Sequence, residues 1–261
     1  MIGAENCPTC SKESDDTVPV ARVMQKLDSY FAKNDLDGAL RLLEYWDREA
    51  RVLNDRRALL EILNEKIGCF RRTGDEEQAL LSVQEAFSLI DELCLGESES
   101  AATVYLNGAT TMKSFHKTID AMKFYFKAKE IYDRTLSCDD YRLATYYNNI
   151  SSAYKELGEI EKAEDACFSA ISTLEKSSDF LGEIALTHVN LAHLYYDIDN
   201  LDERVYEHMD IAWELLSSEK NVHDGHFAFL CSKCYPSFGF FGYFDHENRL
   251  KALVEAIYER A

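Results

Sequence analysis

The alternation of apolar and polar positions is most regular between residues 143 and 174, where it predicts two amphipathic helices joined by a tight turn. Tyr147, Ile150 and Tyr154 recur at spacings of three and four residues, so they share one face of a helix. We expect Gly158 to end that helix, because glycine adopts the left-handed C-cap conformation without steric cost. The second helix carries an apolar stripe at Ala163, Cys167, Ala170, Ile171 and Leu174.

The same pattern recurs along the chain at intervals of 42 residues. One position recurs as Ala79, Ala121, Ala163 and Val205, and a second one as Ala86, Ala128, Ala170 and Ala212. Small residues such as Ala163 and Ala170 let the two helices of a pair approach closely. The tyrosine position is filled by Phe70, Met112, Tyr154 and, one residue early, Tyr195. A weaker copy precedes these at Tyr30, Leu36, Ala39, Leu43 and Trp46. The repeats therefore cover roughly residues 20 to 220.

This order of residues resembles the tetratricopeptide repeat (TPR), whose usual period is about 34 residues. A longer period adds about one turn, or about 5.4 Å, to each helix. Longer repeats of this kind resemble those of kinesin light chains and of bacterial Rap-type peptide receptors. The resemblance implies an all-α protein, a right-handed α-α superhelix of about six antiparallel helix pairs. It also implies that the first helix of each pair lines a concave groove.

Five helix pairs are predicted in the repeat region, at about residues 20–53, 55–95, 100–138, 140–177 and 180–219. Residues 1–18 are polar and unpatterned, so we expect a flexible tail there. A turn is expected at Gly74, with Asp75 capping the helix that follows. The next turn is less clearly marked, because His116 stands in the place of the glycine.

Residues 221–261 depart from the pattern and are predicted to form a degenerate capping repeat. A helix begins at about residue 226, and we expect Pro236 to stop it. An aromatic loop at 237–244 and a final helix at about 246–260 complete the prediction. We expect the aromatic side chains to cover the open end of the core, as the end unit of a solenoid must. The alternative is an exposed aromatic docking patch.

The formal net charge of −19 and the pI near 4.7 are unfavourable for binding nucleic acid or anionic membranes. An acidic exterior can be a solvated surface or can suit a basic partner. The first ten residues carry neither a basic nor an apolar segment, and the apolar-rich run 227–244 is interrupted by Lys233 and Pro236. We therefore expect neither a signal peptide nor a membrane span, and a reducing, cytoplasmic location for the eight cysteines.

Two series of polar residues fall on the helix face opposite the tyrosines, which in TPR proteins lines the groove. One series is Asn107, Asn149 and Asn190, and the other is Arg71, Lys113 and Lys155. Asn148 and His193 lie beside them, and Asn64, Arg72 and His188 are expected near the same surface. The predicted peptide-binding set consists of the two series together with Asn148 and His193.

The chemistry of these side chains suits a peptide. An amide offers a donor and an acceptor, the complement of a peptide backbone. The basic residues would favour acidic side chains or a terminal carboxylate. The alternatives are that the asparagines bond across to the next helix or to water, and that the basic residues are solvated surface.

Two cysteine motifs raise the possibility of a metal. Cys7 and Cys10 supply only half of a zinc site. The set His223, His226, Cys231 and Cys234 would spread over about 16 Å on a continuous helix, too far for one tetrahedral ion unless the chain reverses near Gly225. We therefore predict no metal and no other cofactor.

The chain carries no P-loop, dinucleotide-binding, zinc-protease or nucleophile-elbow motif, so we predict that it is not an enzyme. The function predicted from the sequence is a protein-binding or peptide-binding module that holds an extended, acidic or carboxylate-bearing segment. The alternative is a Rap-like, peptide-responsive regulator that controls a partner through a change in solenoid shape. The sequence indicates neither the partner nor the oligomeric state.

Overall fold

The computed structural model describes residues 17–260 and has no β-strand within that range. It forms twelve α-helices in six antiparallel pairs, which are α1 (Val20–Phe31), α2 (Leu36–Val52), α3 (Arg56–Thr73), α4 (Glu76–Glu92), α5 (Glu99–Ser114), α6 (Thr118–Thr135), α7 (Tyr141–Glu156), α8 (Ile160–Leu174), α9 (Leu181–Ile198), α10 (Arg204–Leu216), α11 (Gly225–Phe240) and α12 (Phe244–Arg260). A short 3₁₀ helix, Ser178–Phe180, precedes α9. The predicted all-α class is confirmed.

The first helices of successive pairs pack side by side and form one layer. Helix α3 packs against α5, α5 against α7, α7 against α9, and α9 against α11. The second helix of each pair packs on the first and forms the other layer. Positions that are 42 residues apart therefore lie on neighbouring helices of the same layer.

Three turns are built in the same way: the turn inside each of the first two pairs and the turn between those pairs. Asn34, Asn54 and Gly74 adopt left-handed conformations with φ of 54°, 55° and 77°. The aspartate that follows each of them accepts a hydrogen bond from the first turn of the next helix. For Asp75 the donor is the N–H of Gln78 at 3.1 Å, so the predicted cap is confirmed.

Later turns use the same left-handed conformation. Gly158 has φ of 76°, as predicted for the end of α7. His116 has φ of 59°, so a non-glycine residue makes the turn between α5 and α6. An L side chain in this conformation carries a steric cost that glycine avoids.

The prediction that Pro236 ends a helix was wrong. Helix α11 continues through Pro236 to Phe240, and α12 begins at Phe244, so residues 237–240 are helical and the predicted eight-residue aromatic loop is not formed. Proline inside a helix costs about 3 kcal/mol. Here Cys234 and Phe238, on either side of it, are fully buried, and burial of this face stabilises the continuous helix.

The aromatic residues of this segment are divided between core and surface. Phe238 is 0% exposed, whereas Phe240 is 59% and Phe244 is 64% exposed. Phe238 packs edge-on against Trp213 of α10. The segment therefore covers part of the core and also presents aromatic surface.

The amino-terminal boundary also differs from the prediction. Residues 1–16, including Cys7, Cys10 and most of the predicted tail, lie outside the described residues. Val18 is buried, and its N–H donates to Asp55 Oδ2 at 3.2 Å, so residue 18 belongs to the packed part of the chain. None of the described helices combines the length and apolar character needed to cross a bilayer.

Two glycine substitutions should change stability in opposite directions. Gly158→Ala should destabilise the protein by about 1 kcal/mol, because alanine is strained at positive φ. Gly68 lies inside α3, and an added Cβ there would meet nothing within 4 Å. Gly68→Ala should therefore stabilise by about 0.5–1 kcal/mol, since alanine has the higher helix propensity. Urea unfolding of the two variants checks both signs, and equal signs would contradict the different roles assigned to the two glycines.

Candidate functional site

The predicted binding residues lie on four neighbouring inner helices. Arg71 is on α3, Asn107 and Lys113 are on α5, Asn148, Asn149 and Lys155 are on α7, and Asn190 and His193 are on α9. The structure links most of them into a line of hydrogen bonds that crosses from helix to helix. We call this line, made of Arg71, Asn107, Lys113, Lys155 and His193, the polar track.

The first step of the polar track joins α3 to α5. Arg71 Nη1 donates to Asn107 Oδ1 at 2.7 Å and to Thr111 Oγ1 at 2.9 Å. Asn107 Nδ2 in turn donates to the backbone oxygen of Asn64 at 2.8 Å. Burial lowers the pKa of Arg71. The guanidinium is therefore held by neutral acceptors in a poorly solvated position.

The second step joins α5 to α7 through one bond. Lys113 Nζ donates to Ser152 Oγ at 2.5 Å. Burial is the main cause that lowers the pKa of Lys113, and the positive charges of Arg71 and Lys155 act in the same direction. A lysine in this environment would gain from a negatively charged partner.

The third step continues from α7 to α9 and on to α11. Lys155 Nζ lies 3.2 Å from the backbone oxygen of His193 and 2.9 Å from Asp197 Oδ2. His193 Nε2 lies 2.8 Å from Ser237 Oγ. Burial and the charge of Lys155 lower the pKa of His193, so this imidazole is neutral at pH 7. The residues of the polar track thus lie on four inner helices, and Ser237 extends its hydrogen bonds to a fifth, α11.

The asparagines do not act as one equivalent series. Asn107 bonds to the neighbouring helix, which is the alternative that the sequence left open. Asn149 Nδ2 donates to Thr145 of its own helix at 2.8 Å, and Asn148 Oδ1 accepts from Thr187 of α9 at 3.0 Å. Asn190 lines a cavity of about 140 Å³ together with Lys155 and His193.

Positive charge on the inner layer is only partly compensated. Within residues 17–260, no carboxylate oxygen lies within 4.0 Å of the side-chain nitrogens of Arg71, Arg72, Lys113 or Lys233. Arg72 donates to the neutral Asn34 Oδ1 at 3.0 Å. Glu65 lies on the same layer, and burial raises its pKa, which favours the neutral acid. The inner layer therefore presents cations without ion-pair partners among the described residues, in a chain of charge −19.

Lys233 was not predicted as a binding residue. Burial and the charges of Arg72 and Arg71 lower its pKa, so its charge adds to theirs. Lys233 does not follow the 42-residue spacing. The one signal in the sequence is its position as a lysine inside an apolar run.

His188 does not lie on the inner surface, contrary to expectation. It is 9% exposed, and its Nδ1 lies 2.8 Å from Nδ1 of His208 on α10. One of the two nitrogens must donate and the other accept. Burial, assisted by the nearby His208, lowers the pKa of His188 to about 4, and burial also lowers the pKa of His208.

The residues of the possible zinc set do not converge. Cys231 and Cys234 are fully buried, and burial raises the pKa of Cys231 to about 12. His226 Nε2 lies 2.9 Å from Glu183 Oε1, and His223 stacks on Phe227. In the described part of the chain, no group of three or more His, Cys, Asp or Glu side chains is placed to hold a metal ion.

Two asparagine variants should differ in stability, because the amide of Asn107 bonds to a neighbouring helix whereas that of Asn149 bonds within its own helix. Asn107→Ala should destabilise by about 1–3 kcal/mol, because Arg71 loses an acceptor in a buried position. Asn149→Ala should change stability by less than about 0.5 kcal/mol, since its bond lies within one helix and alanine has the higher helix propensity. Denaturant unfolding measures both. Equal effects would show that the two amides have equivalent roles.

The histidine pair should make stability dependent on pH. The unfolded chain binds a proton at His188 below about pH 6.5, whereas the folded chain does so only near pH 4. The stabilisation is therefore complete above pH 6.5 and decreases as the pH falls. Between pH 7 and pH 5 it should fall by about 2 kcal/mol. His188→Gln should reduce this dependence, and the exposed control His223→Gln should leave it unchanged in thermal or urea unfolding.

No protein-family model matches the sequence. No curated protein matches it either.

Solved structures match the fold. A Podosopora anserina protein described as a kinesin light chain with nearly identical TPR-like repeats is 13% identical, with 76% of this chain and 94% of that chain covered and a TM-score of 0.53. BtubC (BKLC) from P. vanneervenii is 17% identical, with 92% and 91% covered and a TM-score of 0.53. The MamA RS-1 ArsTM double mutant is 16% identical, with 80% and 99% covered and a TM-score of 0.50. The predicted solenoid of TPR-like repeats is thereby confirmed as the fold.

Proposed function

We propose that this TPR-like solenoid is a protein-binding module whose inner layer holds an extended segment bearing carboxylate groups. One observation carries the proposal: Arg71 and Lys113 are poorly solvated cations with only neutral acceptors among the described residues. A net charge of −19 makes such uncompensated cations a specific feature of this surface.

The spacing of the inner helices suits an extended segment. Packed helices lie about 8–10 Å apart, and an extended chain advances about 3.3 Å per residue. One basic position would therefore meet about every third residue of the segment. In the polyproline II form, which has three residues per turn, carboxylates three residues apart share one face and could reach Arg71 and Lys113 in succession.

Binding would exchange neutral partners for charged ones. Lys113 would give up the hydroxyl of Ser152, and Arg71 would give up an amide or a hydroxyl oxygen. A carboxylate adds a Coulomb attraction that a neutral oxygen lacks, and this attraction is stronger in a poorly solvated position than in water. The released Ser152 and Asn107 side chains could then bond to the backbone of the segment. Asn107 would thus make the backbone contact that the sequence predicts for it.

A second candidate function is a peptide-responsive regulator, and the bridging bonds favour it. The side chains that would bind the segment also join α3 to α5, α5 to α7 and α7 to α9. Exchange of these bonds would change how successive pairs pack. Small-angle X-ray scattering with and without a bound segment distinguishes the two functions, because only the regulator should change its radius of gyration on binding.

The test is a display screen of random and proteome-derived peptides on the wild type and on Lys113→Met. Methionine approximates the length of the lysine chain and removes the charge. A charged hydrogen bond contributes about 1.5–3 kcal/mol, so affinity for acidic peptides should fall about 10- to 100-fold. Lys251→Met, on the exposed surface of α12, is the matched control and should bind as the wild type does.

Other outcomes of the screen are equally informative. Binding that survives in Lys113→Met and in Lys155→Met would move the site elsewhere, first to the exposed Phe240 and Phe244. No enrichment by the wild type would contradict the proposal for short segments. Added salt should weaken binding to acidic peptides, and a salt-independent affinity would contradict the role of the basic residues.

A further inference from the structure

The last helix pair returns to the first. The start of α11 lies against the end of α1, and a Cβ placed on Gly225 would be 2.6 Å from Cα of Ala32 and 3.0 Å from its oxygen. The two backbones therefore touch, and glycine is required for this close approach. We call this contact, made by Phe31, Ala32, Arg72, Gly225 and Phe229, the seam. It closes the inner layer into a ring.

A cationic side chain spans the seam. The guanidinium of Arg72 lies 5.4 Å from the ring centre of Phe31 and 5.1 Å from that of Phe229, so it bridges α1 and α11. A cation on an aromatic ring contributes about 0.5–1 kcal/mol at exposed sites and about 2 kcal/mol when desolvated. A cavity of about 470 Å³ adjoins these residues. This contact is weak compared with the packing inside each helix pair.

The opposite side of the ring is a joint between two cores. One buried cluster draws almost all its residues from α1 to α7, the other draws its residues from α7 to α12, and the two therefore meet on α7. On the outer layer, α6 and α8 are separated by a cleft of about 800 Å³, with Leu136, Tyr147, Phe168 and Ser172 among its lining residues. Across the joint on the inner layer, the polar track makes the bond from Lys113 to Ser152.

The seam, the divided core and the outer cleft fit one motion. If the ring opens, the inner layer lengthens at the joint and the outer layer shortens, so α6 and α8 must approach one another. The cleft supplies the space for that approach. We propose that the ring opens at the seam by bending at the joint between α5–α6 and α7–α8, and that this opening admits a segment to the inner layer.

The second part, admission of a segment, rests on the proposed function, whereas the opening itself does not. The decisive experiment therefore measures shape without any ligand. Gly225→Leu places a side chain between the two backbones, and Phe229→Ala removes one of the two rings around Arg72. Gly96→Leu is the control, since an added Cβ at Gly96 meets nothing within 4 Å.

Small-angle X-ray scattering should show an opened ring in Gly225→Leu and a partly opened one in Phe229→Ala. The radius of gyration should rise by about one-tenth above the roughly 18 Å expected for a compact chain of this length. Circular dichroism reports whether helicity is retained. A folded Gly225→Leu with an unchanged radius would overturn the proposal. If that variant unfolds, Phe229→Ala decides by the same criterion.

The position of the joint has its own test. Ser172→Trp fills the outer cleft and should prevent α6 and α8 from approaching, so Gly225→Leu/Ser172→Trp should regain a compact radius. An opened double variant would place the bend elsewhere and overturn the assignment of the joint. A poly-glutamate peptide then separates the two proposals. Faster association of the peptide with Gly225→Leu than with the wild type supports admission of the segment through the opened seam. An opened ring that binds no peptide refutes the proposed ligand class but does not contradict the ring opening.

Discussion

Close approach of the two helices in each pair is the constraint on which the rest of the structure depends. Ala79, Ala86, Ala121, Ala128 and Ala163 are each at most 1% exposed. A larger residue at such a position would separate the helices, and overpacking of this kind typically costs about 1–3 kcal/mol. Each pair contacts mainly its neighbours, so the spacing inside a pair also sets the angle between pairs. That angle places neighbouring inner helices close enough for a single side chain to bond from one to the next, and it brings α11 back to α1.

The electrostatics of the inner layer follow from this geometry. Arg71 and Lys113 extend across to the next helix, where they find an amide and hydroxyl groups but, among the described residues, no carboxylate. Their bonds hold the pairs together in the isolated chain and are also the bonds that an acidic segment would replace. Stability and recognition therefore use the same atoms. A partner would compete with the internal packing and would not fill an empty, preformed groove.

Local features of the structure could be predicted from the sequence, because each depends on residues within one or two turns. Gly158 and Asp75 form the caps that their neighbours indicate, and the 42-residue spacing places the two polar series on neighbouring helices. Features that depend on tertiary contacts could not be predicted. Pro236 is helical because the helix face that carries Cys234 and Phe238 is buried, and His188 points outward to α10 because His208 supplies a partner there.

The prediction of the candidate site was limited in the same way. Periodicity shows which side chains share a surface, but the acceptor that each one reaches depends on distances between helices. The contact of Arg72 with Phe31 and Phe229 joins the first half of the chain to its last pair, and Lys233 of that pair lies near the charges of Arg71 and Arg72. A repeat that relates only neighbouring units carries no signal for such a contact.

The meeting of the first and last pairs also sets the number of repeats that this curvature can hold. An extra pair inserted between α2 and α11 would displace Gly225 from Ala32 by the width of one helix, because each pair adds one helix to the inner layer. The array would then have to rise out of the plane into an open spiral. Solenoids ordinarily lengthen by duplication of a single unit. Here such a duplication would convert a closed ring into an open spiral, with a differently shaped inner surface. The sixth pair acts as a geometric stop on the growth of the array.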